Sequence, residues 1–314
     1  MRGRRPASPL PQREGLDAIC WTIPPSTPSG PAHDLLLKRF PPLGDPAATP
    51  LLERFEGGDV VRADGTAIAA EEMLHPGDRL WFHRELADED VPDIDLPVLL
   101  HDEHLLVIDK PHDVATMPRG AHVRASALAR LRRLTGITTL VPLHRLDRRT
   151  AGVLAFGIVP SERAAYQQLF ARGAVRKHYE ALVEPGERRP TDDEGSLPRD
   201  PGTRIALRDR LIKPADSLTV QVVPGEPNAH TAVSVRGPGP RGTLHLDLEP
   251  HTGRTHQLRI QLSSRGAPIR GEDLYPEPRR DPVGPLQLLA RRLAFTDPVT
   301  GQERRFTSTR TLSG

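Results

Sequence analysis

The sequence predicts an α+β fold built on a mixed, mainly antiparallel sheet. Short apolar runs of strand length recur from residue 96 onward, broken by only a few segments with helical spacing. No GxGxxG stretch links a strand to a helix, so a doubly wound dinucleotide-binding sheet is not expected. The 34 prolines and 26 glycines supply the turns that many short strands need. A length of 314 residues suggests about two domains.

Residues 1–30 are rich in Pro, Ser and Arg and read as a flexible arm. Residues 31–84 read as a small α/β module. His33–Phe40 is a short helix with Asp34 near its start, Asp59–Ile68 a hairpin through Asp64-Gly65, and Leu80–Phe82 a further strand. Helix followed by small hairpins resembles the S4-type RNA-binding module, although the basic helix face typical of that module is thin here. Residues 85–95 carry Glu85, Asp88, Glu89, Asp90, Asp93 and Asp95 and read as a solvated acidic linker. The main domain is expected over 96–310.

Within it, Leu105–Ile108 is a buried strand closed by Pro111. Ser126–Thr135 is a helix with Leu128, Leu131 and Leu134 on one side, stopped by Gly136. Val153–Phe156 is a strand. Ser161 is the expected N-cap of a helix through Tyr166 and Phe170, ended by Gly173. Val175–Val183 returns as a strand. Residues 185–216 read as a long surface excursion. Strand signals resume at Leu218–Val223, Thr231–Val235 and Thr243–Leu248.

A net charge of +2 does not announce a nucleic-acid binder. Only four of the 43 basic residues are lysines, and arginine suits bidentate phosphate contacts; a GC-rich genome would produce the same bias. One cysteine excludes an intrachain disulfide framework and Cys-pair zinc sites. No run reaches the roughly 20 apolar residues of a bilayer span, and Met1–Pro6 has no apolar run behind its Arg pair. A cytoplasmic protein without a membrane contact is expected.

Two stretches stand out. In His144-Arg145-Leu146-Asp147-Arg148-Arg149-Thr150-Ala151-Gly152, one carboxylate sits among three arginines and a histidine before an apolar strand. Nearby positive charge favours its charged form. Alone, such a cluster reads as surface ion pairs. In Thr252-Gly253-Arg254-Thr255-His256-Gln257-Leu258-Arg259, Thr255 can cap a helix that Gly266 and Pro268 end. Arg259 is then flanked by apolar residues and needs an acidic partner, because burying it unpaired is costly.

These clusters occur in order with Val107-Ile108-Asp109-Lys110-Pro111, Lys177-x-Tyr179-x-Ala181, Pro268-Ile269-x-Gly271 and Phe295–Gly301. The ordered set resembles the RluA-type pseudouridine synthases over roughly residues 96–306. The resemblance implies a sheet of the pseudouridine synthase type, often preceded by an S4 module. It implies that a uridine in RNA is detached at N1, turned, and rejoined through C5, with no cofactor and no metal. Asp147 matches the family's essential aspartate, a nucleophile at the sugar carbon or a base on the sugar. Arg259 matches its bidentate partner, and Tyr179 the aromatic residue packed against the target base. Arg145 matches the side chain that fills the stack left by the flipped base. His144, Arg254, Thr255 and Gln257 are expected to bind substrate around them, with His144 hydrogen-bonding the Asp147 loop.

Three departures flank the site. Ala151 stands where serine is common, Ser263-Ser264-Arg265 replaces a His-containing end, and Glu272 intervenes between Gly271 and Asp273. The expected partner is RNA, ribosomal ahead of transfer RNA, and the expected state a monomer. A glycoside hydrolase would need a second carboxylate at a set separation, which nothing in the sequence requires. A non-catalytic RNA-binding protein would use the arginines and have no need of Asp147.

Overall fold

A computed structural model describes residues 8–86, 89, 91–120, 122–186, 197–279, 281 and 284–313. The chain divides into two units, Met1–Pro92 with Pro118–Thr138, and Asp93–Met117 with Thr139–Gly314.

In the first unit β1 (Ile19–Thr22) pairs antiparallel with β4 (Arg79–Phe82), and β2 (Gly30–Pro31) with β3 (Met73–Leu74). Helices α1 (Ala32–Arg39) and α2 (Leu51–Glu56) pack Leu36 and Phe55 into a core with Ile23, Val60, Leu80 and Phe82. Residues 8–30 are therefore not a loose arm. Trp21 and Ile23 are buried, and burial of two large side chains outweighs the polar composition around them; residues 1–7 lie outside the described residues. The expected hairpin at 59–68 reduces to one bridge, Val61 to Ala67, around Gly65.

The unit also takes α3 (Ala127–Thr135), which the sequence places in the main domain. Ser126 caps this helix, its side chain accepting from the Ala129 N–H, and Gly136 ends it in the left-handed region. Leu128 and Leu131 are buried, but Leu134 is exposed. Arg132 pairs with Asp17 at 3.2 Å. Glu89 is not solvated, as its carboxylate accepts the backbone N–H groups of Val123, Arg124 and Ala125 ahead of α3. Three amides aimed at one carboxylate hold it better than water does. The rest of the expected linker includes residues 87, 88 and 90, outside the described residues.

In the second unit eleven strands form one sheet. They are β5 (Val98–His101), β6 (Leu105–Lys110), β7 (Val141–Pro142), β8 (Ala151–Gly157), β9 (Arg176–Val183), β10 (Arg204–Ile212), β11 (Gln221–Val223), β12 (Ala229–Pro238), β13 (Leu244–Pro250), β14 (Leu288–Thr296) and β15 (Glu303–Thr307). Their order is β11-β10-β12-β13-β9-β14-β8-β6-β5, with β15 on β14 and β7 on β8. The β8–β14 pair is parallel; the other described pairs are antiparallel. Strands β6 and β8 are buried throughout; β8 is apolar along its length, while β6 runs from four apolar residues into the buried Asp109 and Lys110.

Two helices complete the unit, α4 (Arg163–Ala171) and α5 (Gln257–Ser263). Ser161 does not cap α4; Glu162 holds that position, without a side-chain bond. The expected excursion at 185–216 contains the nine-residue strand β10. Its sequence, RIALRDRLI, buries only Leu207 and Leu211, so its apolar signal is thin; residues 187–196 lie outside the described residues. Among the described residues no helix is long and apolar enough to cross a membrane.

Candidate active site

The loop between β7 and β8 carries Asp147 and is fixed at every turn. The Thr150 N–H donates to the Asp147 carbonyl at 3.0 Å, closing a tight turn. Leu146 points into the core, its backbone bonded in both directions to the Thr116 hydroxyl at 2.8 and 3.1 Å. Gly152 then enters β8 with φ +114°, and a Cβ there would lie 2.3 Å from the Ala290 carbonyl oxygen of β14. Only glycine permits the parallel pairing that sets this loop against the sheet.

Lys110, at the end of β6, is fully buried. Its Nζ donates to the carbonyls of Pro111 at 2.9 Å, Val114 at 2.8 Å and Arg148 at 3.1 Å. One ammonium thus ties two loops together beside Asp147. Burial pushes its pKa down to about 7, against the opposing charges of Asp147 and Asp113. The folded value lies below the ordinary 10.5, so the unfolded chain binds more protons between them. This group should therefore make stability rise with pH from about 7 to about 10.5. Lys110→Met should flatten that rise and cost about 3 kcal/mol, because three buried carbonyls lose their donor. Denaturant unfolding across that pH window checks both.

Arg149 is buried and reaches away from the loop, donating to the carbonyls of Gly271 at 2.6 Å and Gly284 at 2.5 Å. It also lies 3.4 Å from Asp273. Arg148 pairs with Asp113 at 2.9 Å. Arg145 is exposed and makes no hydrogen bond or ion pair among the described residues. His144 does not bond Asp147. Its Nε2 accepts the Ala155 N–H at 3.1 Å and its ring stacks on Phe170 at 5.1 Å. Burial, with Lys177 nearby, pushes its pKa down to about 3. His144 is a neutral strut between the loop and β8.

From the other side come β9 and α5. Tyr179 on β9 packs against the main core, and burial, then the charge of Asp147, raises its pKa. The phenol is neutral and shares the Asp147 environment. Arg259 on α5 is buried. Its partner is not the one the sequence suggests. The Arg259 Nε donates to the two Glu272 oxygens at 3.1 and 2.8 Å, and Nη2 donates to Glu272 and Asp273. Burial opposes the guanidinium charge, but the Glu272 hydrogen bond and the carboxylates of Glu272, Asp147 and Asp273 hold its pKa above the usual value. Asp147 thus acts on Arg259 through charge, while the bidentate contact belongs to Glu272. The reason is burial. Glu272 is 4% exposed, against 33% for the Asp147 side chain, and a buried guanidinium takes the carboxylate that is buried with it.

The turn before α5 also departs from expectation. Thr255 does not cap the helix; His256 occupies the cap position with φ +52°. Gln257 is buried, and its amide is fully engaged. Oε1 accepts from Thr252 and the Arg254 N–H at 2.8 and 3.0 Å, and Nε2 donates to His230 and Thr231 at 3.1 and 2.9 Å. Gln257 therefore shapes the turn and has nothing left for a substrate. Arg254 is exposed, with its Nε on the Asn228 carbonyl at 3.1 Å.

One cluster has the donor types for a cation, His178, Glu180 and Asp247, within 4.8 Å of one another. Arg236 pairs with both carboxylates and Arg291 with Glu180. Guanidinium groups already supply the positive charge there. Lys110, Arg149 and His256 carry no site role in the sequence reading; a lysine closing a strand that opens with four apolar residues is the one available signal.

Residues 104–264 match the family described as RNA pseudouridylate synthase. The dual-specificity RNA pseudouridine synthase RluA of Pasteurella multocida is 31% identical over 207 residues, 65% of this chain and 89% of that protein. The ribosomal large subunit pseudouridine synthase C of Vibrio vulnificus is 30% identical over 260 residues, 79% of this chain and 74% of that protein. Human RNA pseudouridylate synthase domain containing 1 shares the fold, with a TM-score of 0.52 at 19% identity over 70% of this chain and 91% of that one. The family match and the relatives define an RNA pseudouridine synthase, an isomerase that acts on RNA. The chain belongs to the RluA-type family of these enzymes.

Proposed function

We propose that this enzyme converts a specific uridine in RNA to pseudouridine with Asp147 as the essential residue. The observation that carries the reading is the convergence on Asp147. A partly exposed carboxylate stands on a rigid loop, with the Tyr179 phenol and the Arg259 guanidinium close enough to feel its charge. A paired uridine cannot reach such a loop, so it must leave its helix, at a cost of a few kcal/mol. Arg145, exposed and unengaged on the same loop, is free to fill the vacated stack. Tyr179 then offers its ring to the extruded base. Asp147 meets the ribose as nucleophile or as base, and the base, released at N1 and turned, rejoins through C5. Loss of the C5 proton and gain of one at N1 balance the isomerisation, so no water need be activated.

Ribosomal RNA is the favoured substrate over transfer RNA. The name of the Vibrio relative and the S4-like reading of residues 31–84 support that choice. The test maps pseudouridine in RNA from cells with and without the gene. One site should disappear on deletion, return with wild type, and stay absent with Asp147→Ala. Return of the site with Asp147→Ala would remove Asp147 from the chemistry; no change on deletion would support a binding role without catalysis.

A further inference from the structure

His256 is the other residue facing Asp147. Its Nε2 lies 4.0 Å from Asp147 Oδ1. Its backbone sits at φ 52°, ψ 22°, a left-handed conformation that non-glycine residues hold only where the surroundings impose it, often at functional sites. Tyr275 imposes the ring orientation. The two rings meet edge-on at 5.9 Å, and the Tyr275 hydroxyl lies 2.9 Å from His256 Nδ1.

The Val220 backbone N–H also donates to the Tyr275 oxygen at 2.8 Å. With one lone pair so engaged, the phenol gives its proton to His256 Nδ1 in the tautomer assigned here, that of the neutral imidazole which burial favours. In a neutral imidazole the remaining proton sits on Nε2, the nitrogen turned toward Asp147.

Resting on the reading of Asp147 as the essential residue, we propose that His256 is its positioning residue. The Nε2–H, oriented by Tyr275, holds Asp147 Oδ1 and leaves Oδ2 for the ribose. A separation of 4.0 Å is too long for a hydrogen bond in the free enzyme, but catalytic contacts commonly tighten when substrate binds. Burial lowers the His256 pKa, and of the charged groups facing it Asp147 and Glu272 raise it while Arg259 and Lys213 lower it.

The test uses full-length enzyme and total RNA from cells lacking the gene, with pseudouridine formation followed from pH 5.5 to 8.5. His256→Asn keeps a residue that tolerates the left-handed backbone. It should lower kcat by about tenfold to a hundredfold while KM stays within about twofold. Tyr275→Phe keeps the ring and removes the hydroxyl that orients Nδ1, so kcat should fall toward the His256→Asn value while KM again stays within about twofold. If His256→Asn turns over like wild type while Asp147→Asn is inactive, the positioning role is wrong and the Asp147 reading stands. If Asp147→Asn itself turns over, that underlying reading fails. Should His256→Asn not fold by thermal unfolding, the Tyr275→Phe kcat decides, and a wild-type kcat overturns the proposal.

Discussion

Asp147→Asn should reduce pseudouridine formation by at least about 10⁴-fold, the scale lost when a nucleophile or essential base is replaced by its neutral isostere. RNA binding should change little, because Asn keeps the shape and the loop's hydrogen bonds use backbone atoms. The Thr150 N–H still meets the carbonyl of residue 147, Lys110 still holds the Arg148 carbonyl, and Arg149 still reaches Gly271. Folding should also be close to wild type, since the side chain is one-third exposed and the His256 ring nearest it stands 4.0 Å away, beyond hydrogen-bond reach. Single-turnover assays beside an RNA-binding isotherm separate these effects. Activity within tenfold of wild type would mean the carboxylate does no chemistry.

Glu272→Ala should give the largest loss of stability, roughly 3 to 5 kcal/mol, the usual cost of leaving one member of a buried ion pair without its partner. Arg259 would keep only Asp273, and the backbone N–H groups of Asp273 and Leu274 would lose the Glu272 oxygen they share at 3.1 and 2.9 Å. Asp273 also faces Arg149, so a shift of Arg259 would reach the Asp147 loop and lower kcat as well. Glu272→Asp, which keeps the charge, should lose less than Glu272→Gln. Urea unfolding of the three variants ranks them; a loss below about 1 kcal/mol for Glu272→Ala would show that solvent reaches Arg259 and replaces the carboxylate.

The fold is legible where residues serve one purpose. Strands β6 and β8 are buried on both faces, so their apolar runs read directly. Helix α3 announced itself through Ser126 and Gly136, a cap and a stop. Strand β10 was not legible, because one face carries arginines to solvent and the other buries two leucines. Residues 8–30 misled for a related reason. Two buried side chains, Trp21 and Ile23, decide their structure amid a polar composition.

At the site, the order of motifs marks Asp147, Tyr179 and Arg259 as a set, and both Tyr179 and Arg259 lie within the field of the Asp147 carboxylate. The partner of Arg259 was not found. Sequence marks a buried arginine as needing an acid, but it does not rank acids by burial, and Glu272 wins over Asp147 on that count. Gln257 was read as a contact for substrate because polar motif residues invite that reading; whether an amide is already saturated is a tertiary fact. His256 carried no signal, since its left-handed backbone and its orientation by Tyr275 join segments 19 residues apart.

The account turns on where Asp147 stands when RNA is bound. A crystal structure of Asp147→Asn with an RNA bearing the mapped uridine measures this directly. The residue 147 side chain should lie within about 3.5 Å of the ribose of an extruded uridine, with the Tyr179 ring against its base. A uridine still paired in its helix, or one bound elsewhere while residue 147 faces solvent, would contradict the account.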